Sequence, residues 1–308
     1  MSAIGLDALP AGAGNVAASR AETRMRRRGL AFVAPAVLLL LAIYILPMIA
    51  LAAFSVTDYK LGAVSTRFVG FENFKRAFGD PVFLRSLVNT VLYAVIVIPF
   101  GVFLGLGVAL LAHGRKRTRW IWETAYFLPV TATLVAMATV WQFLLHPSLG
   151  PINMAIRALG LDPVAFLSTP SLLIPTMALI GIWQVLGFNM VLFLAGLSGI
   201  PKDLYEAARL DGAKHPIDRF LTVTWPMLGP TTLFVVVTTS ITAFKVFETV
   251  AVLTRGRMGS ETLLYALYLE GFEYAETGYA AALTILFLAI ILILSIGQTL
   301  HLDKKAHY

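Results

Sequence analysis

Residues 206–213, Glu206-Ala207-Ala208-Arg209-Leu210-Asp211-Gly212-Ala213, followed by Trp225-Pro226, form a charged, small-residue island in a chain built mostly of long apolar runs. The island can be read locally. Pro201 suits the first turn of a helix, and Asp203 places negative charge near its N-terminus. Leu204, Ala207, Ala208 and Asp211 follow at helical spacing, and Gly212 is placed to end the helix in the left-handed conformation. Pro216 can start a second short helix carrying Ile217, Phe220, Leu221 and Thr224 along one side. The segment 201–226 is therefore expected to be helix, glycine turn, helix. Its alanines allow a partner to approach closely. The bland alternative is an amphipathic hairpin lying on lipid.

The surroundings of the island decide the fold class. The 308-residue chain is 58% hydrophobic and 13% charged, with a mean hydropathy of +0.80. Soluble domains carry about 25% charged residues. Runs of about 20 apolar residues cross the hydrocarbon core as helices, and six segments qualify: 30–54, 87–112, 124–145, 172–197, 228–253 and 280–302. Alternating strands of barrel type are absent. The expectation is an all-α integral membrane protein, a six-helix bundle with the island outside the bilayer.

Basic residues orient the bundle. Fifteen of the 24 Lys and Arg lie in the N-terminal tail, the 113–121 and 198–224 loops and the C-terminus, against eight in the three opposite flanks. This bias places both termini, and the island, in the cytoplasm. The net charge of +7 then reflects topology and an anionic membrane surface, with no nucleic acid implied. Residues 1–29 read as a cytoplasmic tail, disordered over most of its length, without a cleavable signal. Residues 303–308 read as a second cytoplasmic tail.

Catalytic chemistry is poorly represented. Zero cysteines exclude disulfides and thiolate chemistry. The five histidines are scattered, and there is no HExxH, GxxxxGK[ST] or GxSxG pattern. No metal site and no cofactor are expected in this chain. Polar groups inside spans usually face a bundle interior or a water-filled cavity, which nominates Gln142, Gln184, Asn189, Lys245 and Glu248 for a solute pathway. Trp141, Trp183, Phe244 and Phe247 are their aromatic neighbours. Against this, Lys245 and Glu248 stand i,i+3 on one helix, where their pairing would be purely structural, and Gln or Asn can instead tie helices together.

Beyond these readings, EAA-x3-G with a proline at the next span resembles the coupling motif of permease subunits in binding-protein-dependent ABC importers. The fuller run EAARLDGA…RFLTVTWP is similar to the carbohydrate branch, as in the first maltose and glycerol-3-phosphate permease subunits. Phe71-Glu72-Asn73-Phe74, Asn89-Thr90, Phe127-Leu128-Pro129, Gly150 with Asn153, Trp183 with Gly187-Phe188-Asn189-Met190, and Leu253-Thr254 extend the likeness along most of the chain. Three departures stand out. One extra residue separates Gly212 from Val223, and the expectation places it in the Lys214-His215 turn. Trp225 replaces a usual leucine. Arg255-Gly256-Arg257-Met258 stands where the family often shows Gly-Gly-Pro, which makes that external loop more basic.

The resemblance implies a transport component with no enzymatic activity of its own. Its partners would be a second permease subunit, two ATP-binding subunits holding ATP and Mg, and an extracytoplasmic solute-binding protein, all at a bacterial inner membrane. Glu206, Ala207, Ala208, Asp211, Gly212, Ala213 and Pro226 would form the ATPase-coupling site. The cargo would be a carbohydrate, a polyol or a glycerol phosphate. The rival reading is an ion-gradient-driven secondary transporter. Such proteins usually show internal repeats, and no halves of this chain match.

Overall fold

The structure, a computed structural model, describes Met25 and residues 29–115 and 117–306, with side chains as far as Leu300. Most of the tail expected to be disordered, residues 1–24 and 26–28, lies outside the described residues. Among the described residues there is no β-strand, only an isolated antiparallel bridge between Thr57 and Phe68.

The chain divides into two units, Met1–Ala53 and Phe54–Tyr308. The first contains most of α1 (Gly29–Ser55), an apolar helix of 27 residues, long enough to cross a bilayer. One wide turn, Leu41–Ile45, interrupts its regular winding.

The second unit is built around α3 (Pro81–His113), which follows the short amphipathic α2 (Glu72–Gly79). Asp80 caps α3, accepting from the Val82 and Phe83 amides at 2.8 and 3.4 Å, and Pro81 takes the first turn. The principal partner of α3 is α7 (Pro170–Ser198), which follows the short α6 (Pro151–Ala158). Their close approach rests on Gly101 and Gly105. A Cβ at either would stand 2.7 Å from the Val185 or Asn189 side chain. This G-x-x-x-G spacing brings helix backbones together and was legible in the sequence, although the expectations above do not use it. Met177, Met190 and Phe193 of α7 are completely buried.

Two expected spans are broken. The segment expected as one helix at 124–145 is α4 (Arg119–Thr131) and α5 (Leu134–Leu144), bent by 101°. Pro129 withdraws a backbone donor near the end of α4, and Ala132 and Thr133 are extended. The segment expected at 228–253 divides into α10 (Gly229–Phe244) and α11 (Glu248–Leu253). Between them the Val246 carbonyl accepts from the buried Thr262 hydroxyl at 2.9 Å. Irregular backbone at membrane depth needs such a substitute partner. After the short α12 (Leu263–Tyr268), the last span is longer than expected: α13 runs Thr277–Ala306, into the expected tail.

The end of the bundle near α2 is laced by charge pairs. Arg76 pairs with Glu276, which also receives Lys60 at 3.0 Å, while Arg85 meets Glu261 at 3.2 Å. Arg76 also lies over the Tyr279 ring, and the Tyr279 hydroxyl donates to Asp80 at 2.8 Å. Three of the five cations of the first loop, Lys60, Arg76 and Arg85, thus meet carboxylates from more than 150 residues later, while Arg67 meets the nearby Asp58.

Candidate functional site

The opening segment folds as a helix followed by a glycine turn and a second helical run. α8 (Lys202–Leu210) begins after the extended Pro201, with Asp203 in its first turn and Arg209 in its last. The Gly212 amide donates to Arg209 O at 3.2 Å and the Ala213 amide to Ala208 O at 2.9 Å. This paired pattern is the Schellman ending of a helix, and it requires a left-handed residue. Gly212 supplies that residue at φ +96°.

The second run opens with α9 (Pro216–Arg219), where the Asp218 carboxylate accepts from the His215 amide at 3.1 Å. It continues through a π turn, Phe220–Thr224, to Trp225–Met227. A π turn closes i→i+5 and so contains one residue more than an α turn. Lys214 and His215, where the extra residue is expected, join the glycine turn to this run. Tyr205 and Thr224 share a hydrogen bond at 3.1 Å that ties α8 to this turn.

Between the two runs lies an open cavity of about 680 Å³. Ala207, Ala208, Asp211, Gly212, Ala213 and Pro226 all line it. Glu206 is outside the lining, exposed, and without an ion pair among the described residues. The segment thus presents a shaped, small-residue recess with a free carboxylate beside it. Connectivity places it at one end of the bundle, between the end of α7 and the start of α10.

The residues nominated for a pathway divide. Gln184, Lys245 and Glu248 come together at the break between α10 and α11, lining a cavity of about 210 Å³. Tyr93, Thr242 and Thr249 join them there. None of the three nominated side chains has a hydrogen bond or ion pair among the described contacts, and the break takes Lys245 and Glu248 off the single helix that would have paired them. Unpaired polar groups at membrane depth are costly unless a wet cavity serves them.

The others lie elsewhere. Asn189 is buried, donating to Gly101 O at 3.1 Å and accepting from Thr239 at 3.1 Å, so it ties α7 to α3 and α10. Phe244 is in the core, Phe247 packs on Tyr265 and Tyr268, and Trp183 meets Trp141 edge-on at 5.5 Å. Gln142 lines a different cavity, beyond the end of α11. Tyr93 was missed because a tyrosine in an apolar span carries no distinguishing pattern. Among the described residues no cluster of His, Asp and Glu could hold a metal ion.

Comparison with known proteins agrees with this architecture. The model of the binding-protein-dependent transport system inner membrane component family matches residues 82–307. The probable ABC transporter permease protein YurN of Bacillus subtilis is 35% identical over 273 residues, covering 87% of this chain and 93% of that protein. The sulfoquinovosyl glycerol transport system permease protein SmoG of Agrobacterium fabrum is 32% identical, covering 83% and 84%. The sn-glycerol-3-phosphate transport system permease protein UgpA of the same organism is 31% identical, covering 80% and 84%. Among solved structures, a chain of the bacterial alginate ABC transporter in complex with an alginate-bound periplasmic protein superposes with a TM-score of 0.82 at 24% identity, over 92% of this chain and 98% of that one. None of these findings supports the gradient-driven alternative. A bundle of broken and unbroken spans, a capped helix–turn–helix at one end, and a family match over most of its length make this chain a permease subunit: it belongs to the family of inner membrane components of binding-protein-dependent transport systems.

Proposed function

We propose that this chain is one of two permease subunits of an ATP-driven importer for a carbohydrate, a polyol or a glycerol phosphate, with both termini in the cytoplasm. Two ATP-binding subunits dock on the α8–α9 corner and carry the ATP and Mg. An extracytoplasmic binding protein delivers solute to the opposite end. The observation that carries this reading is the corner itself: a Schellman turn over an open, alanine-lined recess, with Glu206 exposed and unpaired among the described residues. Such a recess needs a partner, and its free carboxylate calls for a cation on that partner. The cargoes named for SmoG and UgpA support the solute class.

Energetically the permease is a two-state element that a partner biases by binding one state better than the other. The small cavity at the α10–α11 break, with Gln184, Lys245 and Glu248, is the proposed solute pathway. Amide, ammonium and carboxylate groups offer hydrogen bonds to hydroxyls there, and a broken helix allows the two halves to move separately. Glu206→Lys should abolish ATP-dependent uptake while leaving membrane insertion intact. Transport at the wild-type rate in that variant would refute the docking assignment.

A further inference from the structure

Beyond the end of α11, on the side of the bundle away from the α8–α9 corner, lies a polar cavity of about 540 Å³. Its lining includes Thr139 and Gln142 from α5, Ser168, Thr254, and the two guanidinium-bearing residues Arg255 and Arg257. No carboxylate lines it. Neither arginine side chain has an ion pair or hydrogen bond among the described contacts, and both residues are exposed.

Their neighbours on the same end are different. Lys60, Arg67, Arg76 and Arg85 each have a carboxylate within 4.0 Å, and Arg157 donates to the Pro147 and Ser148 carbonyls at 2.6 and 2.9 Å. Lys75 also lacks a partner among the described residues, but it stands on the exposed face of α2, away from the cavity lining. The free guanidinium groups are thus gathered where the cavity is.

The loop that carries them is rigid. Ser260 donates to Thr254 at 2.8 Å, and Asn89 donates to the Gly259 and Glu261 carbonyls at 2.7 and 2.8 Å. A Cβ on Gly256 would stand 2.8 Å from the Tyr265 ring, so the turn is pressed against the bundle. Arg255 and Met258 are held at φ +52° and +56°, a conformation L-residues adopt only when surrounding contacts compel it. The backbone is therefore set, and the side chains are left unengaged.

We infer that this cavity is an entry subsite for a solute bearing a carboxylate, sulfonate or phosphate, with Arg255 and Arg257 taking the anion and Gln142, Thr139 and Ser168 the sugar hydroxyls. Guanidinium groups recognise such oxyanions through paired, charge-assisted hydrogen bonds. A carboxylate-free cavity also concentrates anions by its field. α11 has six residues, about 9 Å at 1.5 Å per residue, so the subsite sits one short helix away from the Lys245–Glu248 cavity. The inference rests on the importer reading and narrows its cargo to an acidic carbohydrate.

The test uses the full permease–ATPase complex in nanodiscs, trapped by vanadate and without the binding protein. Methyl glucuronide and methyl glucoside are the probes, with saturation-transfer NMR as the readout. The expected result is binding of the glucuronide at least about tenfold tighter than the glucoside. That preference should weaken between 0.05 and 0.5 M salt and vanish in R255Q/R257Q. Equal binding of the two probes, or no difference between wild type and the double variant, overturns the inference. So does a separate binding measurement in which the double variant loses affinity for the binding protein while keeping its glucuronide preference, because the arginines would then serve docking. Assembly with the ATPase and vanadate trapping are scored separately, so failure of the importer reading shows itself before any probe is added.

Discussion

Replacing Gly212 with alanine isolates the backbone's share in coupling. A Cβ at this position meets no atom within 4 Å, so the substitution creates no clash. The whole cost comes from φ +96°, which an L-residue adopts at roughly 1–2 kcal/mol. That corresponds to a fall of about 5- to 30-fold in the ratio of formed to unformed turn. Two hydrogen bonds, Gly212 to Arg209 and Ala213 to Ala208, depend on the turn, and with them the angle between α8 and the Pro216 run. If this corner is the lever on which the ATPase acts, binding-protein-stimulated ATP hydrolysis and uptake by proteoliposomes should drop, by at most that factor, because a turn that is mostly formed absorbs part of the shift. Basal hydrolysis by the ATPase subunits should be unchanged. Asparagine tolerates positive φ better than alanine, so Gly212→Asn should fall between wild type and Gly212→Ala. Wild-type coupling in the alanine variant, or equal damage from asparagine and alanine, would refute the argument from conformation.

Two other outcomes follow from the geometry. Asn189→Ala removes two interhelical hydrogen bonds, each averaging about 0.6 kcal/mol within membranes. Stability in SDS titration should therefore fall by roughly 1 kcal/mol, with the solute concentration dependence of uptake unchanged; a changed dependence at unaltered stability would return Asn189 to the pathway. At the other end, the hydrogen bond from Arg76 holds the Glu276 carboxyl below its ordinary value of 4.5. A depressed folded-state value stabilises above the unfolded one and is lost as pH falls through the folded one. Between pH 7 and pH 4 the thermal midpoint of wild type should drop by more than that of Glu276→Gln, and equal drops would show that the pair contributes nothing.

The apolar runs, the corner helix and its glycine stop were legible because they are local. Hydropathy over twenty residues reports the solvent, and Gly212 reports its own conformation. Third-span continuity was not legible. Thr124–Leu145 reads as one apolar run, yet the chain turns through 101° at Ala132-Thr133. The same holds at Lys245–Phe247, where the freed Val246 carbonyl is served by Thr262, 16 residues further on. No window centred on the break contains the hydroxyl that makes it affordable.

Polar residues inside spans divide along the same line. Composition alone ranked Gln142, Gln184, Asn189, Lys245 and Glu248 together, since each is a polar group in an apolar run. Packing separated them, because a hydrogen bond across helices is a property of two surfaces. Asn189 has two such bonds, whereas Gln184, Lys245 and Glu248 have none among the described residues and share a cavity. By itself the sequence determined that this chain lives in a bilayer and where its glycine-stopped corner helix lies, since both depend on residue type and short spacing. Tertiary structure decided where the helices break, which charges neutralise one another and which arginines stay free, because each of those depends on a partner distant in the chain.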